Sequence, residues 1–88
     1  MDTGTLYIVS TPIGNLEDIT MRAVRILKEV GLIAAEDTRR TKILLDAYGI
    51  SNQMTSFHSH STSRKGQELI KKLQEGVSIA LVLSLIHI

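Results

Sequence analysis

The sequence has no cysteine and no tryptophan, and holds one proline, one phenylalanine and two tyrosines. Without cysteine there is no disulfide framework and no thiolate zinc site, which fits a reducing compartment. With so few aromatic rings, the core must be built from aliphatic side chains, and the 43% hydrophobic share is ample for that. An excess of one charge is also missing. Ten Lys and Arg stand against nine Asp and Glu, a net charge of +1. Composition alone therefore does not announce a nucleic-acid binder, and any such surface must come from local clusters. The longest apolar stretch, Val77 to Ile88, is interrupted by Ser78, Ser84 and His87. It is too short to cross a bilayer and reads as a buried strand. The opening Met1-Asp2-Thr3-Gly4 has no basic leader, so no secretory signal is expected and a cytoplasmic location is. A chain of 88 residues supports one small domain, which buries little more than ~60% of the surface its unfolded form exposes.

Short apolar runs alternate with amphipathic segments. Leu6-Tyr7-Ile8-Val9, followed by Ser10-Thr11-Pro12, has the pattern of a strand buried on both faces and stopped by a turn. Thr20 is placed to cap a helix with Ala23, Ile26, Leu27 and Val30 on one stripe, Arg22, Arg25, Lys28 and Glu29 toward water, and Gly31 at its end. Leu32 to Ala35 reads as a second buried strand. A second helix is expected from about Thr38 to Tyr48, with Ile43, Leu44 and Ala47 inward and Gly49 at C′. Met54 to His58 is a weaker third strand. Ser61 to Ser63 can cap a third helix with Leu69, Ile70 and Leu73 inward and Gly76 closing it, before a fourth strand from Val77 to Val82. The rhythm βαβαβαβ argues an α/β fold: a parallel sheet with flanking helices. Ligands of such sheets bind beyond the carboxyl ends of the strands. Three segments should then meet there: Ser10 to Asn15, Glu36 to Arg40 and His58 to His60.

Each segment supports more than one reading. Pro12-Ile13-Gly14-Asn15 lies between a strand and a helix, and is either a tight structural turn or a loop whose backbone amides approach a small molecule. It matches neither common phosphate-binding glycine motif. In Glu36-Asp37-Thr38-Arg39-Arg40, two acids at a strand end could accept ribose hydroxyls while two arginines hold phosphates. Equally, Asp37 or Thr38 could cap a helix whose arginines are solvated. Lys42 extends the basic run. In Phe57-His58-Ser59-His60 the two imidazoles fall on one side of an extended segment. They offer a general base, a substrate contact or a solvated pair, and no third ligand completes a metal site, so no metal is expected.

Residues 6–20 and 33–41, in this order and at this separation, resemble the opening of the ribosomal RNA small subunit methyltransferase I family, a tetrapyrrole-methylase-like group. The similarity extends over about residues 5–82 and includes Leu44-Leu45, Tyr48-Gly49-Ile50 and Phe57-His58. It implies the amino-terminal part of a two-domain enzyme, a homodimer at full length. That enzyme would transfer a methyl group from S-adenosyl-L-methionine to a cytidine ribose 2′-hydroxyl of 16S ribosomal RNA in the small (30S) subunit, with no membrane or metal partner. By position, the resemblance implies that Pro12, Ile13, Gly14, Asn15, Glu36 and Thr38 line the cofactor crevice and that Arg39, Arg40 and Lys42 face RNA. A proton acceptor for the hydroxyl would be Asp37 or His58, on chemical type.

Two departures accompany the resemblance. Ser59 stands where the family commonly has an acidic residue. After Val82, Leu83-Ser84-Leu85-Ile86-His87-Ile88 replaces a Ser-Asp-Ala-Gly-Thr-Pro loop of the family. The chain therefore divides into residues 1–82, a truncated domain, and a tail 83–88 that departs from the pattern and could be foreign. The tail leads to an expectation that the face or edge of the last strand is uncovered and that the chain associates through it. Two other functions compete: a methyltransferase of precorrin-type tetrapyrroles, and a nucleotide-binding remnant without chemistry.

Overall fold

In a computed structural model, residues 3–12, 19–57 and 63–85 are described, and their elements follow the order expected from the alternation. They are β1 (Leu6–Pro12), α1 (Met21–Glu29), β2 (Leu32–Ala35), α2 (Thr38–Ala47), β3 (Met54–Ser56), α3 (Ser63–Gln74) and β4 (Ile79–Leu85). All strand pairs are parallel, in the order β1-β4-β2-β3. The protein is thus an α/β fold with the βαβαβαβ connectivity.

Local chemistry fixes the helix ends. The Ala23 N–H donates to Thr20 Oγ1 at 3.1 Å, and the Val30 N–H donates to the Ile26 carbonyl at 3.1 Å. Beyond that point the last carbonyls of α1 would lack partners. Asn52 supplies them: its Nδ2 donates to the carbonyls of Leu27 at 2.9 Å and Val30 at 2.8 Å. At the end of α2, Gly49 takes φ 64°, the left-handed conformation expected of a C′ residue. Gly4 is needed for a different reason. Its N–H donates to the Leu73 carbonyl at 2.6 Å, and a Cβ there would strike the Val77 backbone.

Side chains alternate across the sheet and build two unequal layers. On one face Val9, Ala80, Val82, Ile33 and Ala35 pack with Leu27 and Val30 of the α1 segment and with Leu44 and Leu45 of α2. On the other, Leu32, Ala34 and Ile79 pack with Leu69 of α3, flanked by Phe57, Leu73 and Leu81. Strand β2 is buried at all four positions, as its unbroken apolar run requires.

Several expectations are corrected. Strand β1 is covered on one face only: Val9 is buried, whereas Leu6 and Ile8 are 49% and 58% exposed, because α3 does not reach across to them. The strand also continues through Ser10, Thr11 and Pro12 instead of turning there, paired with Leu83, Ser84 and Leu85. A proline is tolerated because β1 is a sheet edge among the described residues and has a partner strand on one side only. Strand β4 lies between β1 and β2 and runs on to Leu85, so of the expected uncovered face or edge the edge is not found. Strand β3 stops at Ser56. Helix α2 buries Thr41, Leu44 and Leu45, while Ile43 and Ala47 are exposed, a rotation of about one residue from the expected stripe. Ile70 is likewise exposed, on the outer side of α3 from Leu69.

Candidate functional site at the carboxyl ends of the strands

In a parallel sheet every strand points its carboxyl end the same way, and the following helix starts at that rim. Helices α1 and α2 cover one face and α3 the other. The connection leaving β2 therefore goes to one side of the sheet, and that leaving its neighbour β3 goes to the opposite side. Adjacent strands that diverge in this way open a crevice at their carboxyl ends, the usual ligand position in open α/β sheets. Here its floor is Ala35 of β2 and Ser56 of β3, which are register partners. The ladder continues just past them, with the Phe57 N–H donating to the Ala35 carbonyl at 2.9 Å and the Glu36 N–H donating to the Val82 carbonyl at 3.2 Å.

Glu36 thus has its backbone committed to the sheet and its side chain exposed at the rim. Asp37 is the N-cap of α2. Its Oδ1 accepts from the Arg40 N–H at 3.1 Å, and its Oδ2 lies 3.7 Å from Arg40 Nε. One of the two readings of this segment, a capped helix start, is therefore observed. It leaves the second carboxylate oxygen in a loose, half-exposed ion pair of the kind that contributes at most ~1 kcal/mol. Thr38 follows as the first helical residue and is half-buried.

The three cations of α2 are not equivalent. Arg40 faces Asp37, and Lys42 Nζ lies 3.8 Å from Asp46 Oδ1. Arg39 is exposed and has no ion-pair partner among the described residues. Pro12, the last residue of β1, stands at the same rim, opposite Leu85. Ile13, Gly14, Asn15, His58, Ser59 and His60 lie outside the described residues. Of the expected site residues, the fold accordingly brings Pro12, Glu36, Asp37, Thr38, Arg39 and Arg40 to one rim, with Lys42 one turn further along α2.

Sequence reading missed two features next to this rim. Lys65 Nζ donates to Thr55 Oγ1 at 2.5 Å, tying α3 to β3 at the crevice wall. Thr41 is buried directly after the arginines. Apolar periodicity signals neither, since Lys65 and Thr41 are polar. Among the described residues no group of three or more His, Cys, Asp and Glu is placed to hold a metal, and no helix is long and apolar enough to cross a membrane.

Comparison with known proteins adds three observations. A family model described as Tetrapyrrole (Corrin/Porphyrin) Methylases matches residues 5–84. A curated protein of Halalkalibacterium halodurans, named Ribosomal RNA small subunit methyltransferase I, is 57% identical over 81 residues, covering 92% of this chain and 28% of its own length. Proteins of the same name from Escherichia coli O157:H7 and Thermotoga maritima are 56% and 51% identical, each over 90% of this chain and over 28% and 36% of their own lengths. The chain thus spans about a third or less of the relatives it matches.

Proposed function

This chain belongs to the family of tetrapyrrole (corrin/porphyrin) methylases, and on that premise we propose that the protein containing it is a methyltransferase of small-subunit ribosomal RNA. The observation that carries the proposal is the 57% identity, over 92% of the chain, to a protein named for that activity. The proposed donor is S-adenosyl-L-methionine and the proposed acceptor a cytidine ribose 2′-hydroxyl of 16S RNA in the 30S subunit. The proposed protein is a cytoplasmic homodimer.

The described rim suits such a donor. Glu36 presents an exposed carboxylate at the end of β2, with no ion-pair partner among the described residues, and carboxylates in this position accept ribose hydroxyls. Pro12, Ile13, Gly14, Asn15, Glu36 and Thr38 would hold the cofactor, which when bound supplies a methyl group on a positively charged sulfur. The protein's own part is to orient the acceptor hydroxyl and take up its proton. Asp37 and His58 are the candidates for that proton. Asp37 keeps one oxygen on the helix cap and has the other available beside Arg40. Arg39, Arg40 and Lys42 would meet RNA phosphate, with Arg39 the freest of the three.

The test is a methylation assay of a full-length protein carrying this segment, offered 30S subunits in parallel with a precorrin-type tetrapyrrole. Methyl incorporation into ribosomal RNA alone is expected. Incorporation into the tetrapyrrole alone would replace the acceptor and keep the family. In the same protein, Gly14→Val should abolish cofactor binding by calorimetry, and unchanged affinity in a folded variant would remove residues 12–15 from the cofactor site.

A further inference from the structure

We infer that the RNA-facing surface extends from α2 on to α1, where Arg22 and Arg25 form its second half; the inference rests on the ribosomal-RNA reading of the α2 rim. Helices α1 and α2 pack on the same face of the sheet, and both begin at the carboxyl ends of the strands. Their exposed sides therefore form one continuous layer next to the crevice. Arg22 sits at its near end, beside Ser10 and Thr20 along the carboxyl half of β1. Arg25 lies one turn further along, and both are exposed.

Cations outnumber acids on this layer, with Arg22, Arg25, Lys28, Arg39, Arg40 and Lys42 against Glu29, Asp37 and Asp46. Neither helix has an acidic residue in its first turn. Among the described residues the cation–acid pairs on the layer, Arg40 with Asp37 and Lys42 with Asp46, both lie on the α2 side. Arg22, Arg25 and Arg39 have no ion-pair partner among the described residues, although the whole chain carries only one net positive charge. Helix α3, on the opposite face, is also cationic, with Arg64, Lys65, Lys71 and Lys72 against Glu68 and, just past the helix, Glu75, but three of its four cations are lysines. Guanidinium groups are weakly hydrated and fork onto phosphate oxygens, so three exposed arginines on one face suit a polyanionic backbone better than a point anion. A duplex or folded RNA lying across the layer would meet Arg39 beside the crevice and Arg22 further along the same rim, beside β1. That contact positions RNA without reading its sequence.

The test uses a full-length protein with this segment and measures the affinity for 16S RNA as a function of salt. Replacing Arg22 and Arg25 together by Gln should lower the slope of log K against log salt by about 1.4 to 1.8, from ~0.7 per phosphate contact to a single strand and ~0.9 to a duplex. Cofactor affinity and urea midpoint should stay unchanged. Lys71→Gln with Lys72→Gln removes the same charge from the opposite face and should leave the slope alone. An equal fall in both double variants would overturn the inference in favour of diffuse net charge. No change for Arg22 and Arg25 while Arg39→Ala lowers the slope would overturn it too, with the RNA reading intact. No change in any of these variants would overturn both.

Discussion

The two faces of the sheet are built from similar apolar residues and are covered very differently. One carries two helices and closes over Val9, so that β1 is buried there. The other carries one helix, which covers Leu32, Ala34 and Ile79 and leaves Leu6 and Ile8 in water. Burial in this molecule is thus a property of which helix lies overhead and not of how apolar a strand is. The well-covered face should hold the stability and the poorly covered face the tendency to associate.

The comparison can be broken most severely by removing residues 83–88, which takes away the partners of Ser10, Thr11 and Pro12 and shortens the central strand. The remaining residues 1–82 should then lack the cooperative urea transition of the full 88-residue chain; a retained transition would mean that β4 is dispensable beyond Val82. Next, Leu27→Ala on the two-helix face should cost about 4 kcal/mol, since Leu27 has no exposed surface and its pocket cannot collapse. On the one-helix face, Leu69→Ala should cost less, about 2 kcal/mol, because the site is already 9% exposed and can be filled from its open side. Equal losses in urea titrations would show the two layers to be energetically alike. Asn52→Ala, which leaves the Leu27 and Val30 carbonyls without their donor, should cost about 1–2 kcal/mol. Its signature in hydrogen exchange should be faster opening of the last turn of α1. Smallest of all, Ile8→Lys should change stability by no more than ~0.5 kcal/mol. It should nevertheless reduce association in sedimentation, because it places a charge in the middle of the uncovered stripe.

The order and type of the elements were legible because apolar runs, caps and glycines act locally. Thr20, Asp37 and Gly49 do at the ends of α1 and α2 what their chemistry suggests. The inward stripe of α2 was misread because Ile43 is apolar yet exposed while Thr41 is polar yet buried, so hydrophobicity alone points to the wrong phase. Strand order was not legible at all. No local pattern distinguishes a central strand from an edge strand when both are apolar, and the expectation of an uncovered face or edge on β4 came instead from the tail that departs from the family after Val82. At the candidate site the sequence identified the acidic and basic residues of the α2 rim. It could not show that Arg40 and Lys42 are engaged while Arg39 has no ion-pair partner among the described residues, since ion pairing depends on helical phase and rotamer.

The position of β4 also has a consequence in time. Strands β1 and β2 are consecutive, yet they never touch as neighbours; each hydrogen-bonds to β4. A chain emerging from the ribosome has made β1, β2 and β3 before the strand that joins them exists. Thr5 bonds to Ser78 across 73 positions, and contacts of that range must pay loop closure before they return any stabilisation. Until residues 79–85 appear, β1 and the helix after it have no sheet to belong to, while β2 and β3 can pair on their own. Among these four strands, synthesis therefore runs from the amino terminus but pairing runs from the inside out. Of the four, the first made is among the last to be secured, and during that interval its apolar side chains stay uncovered.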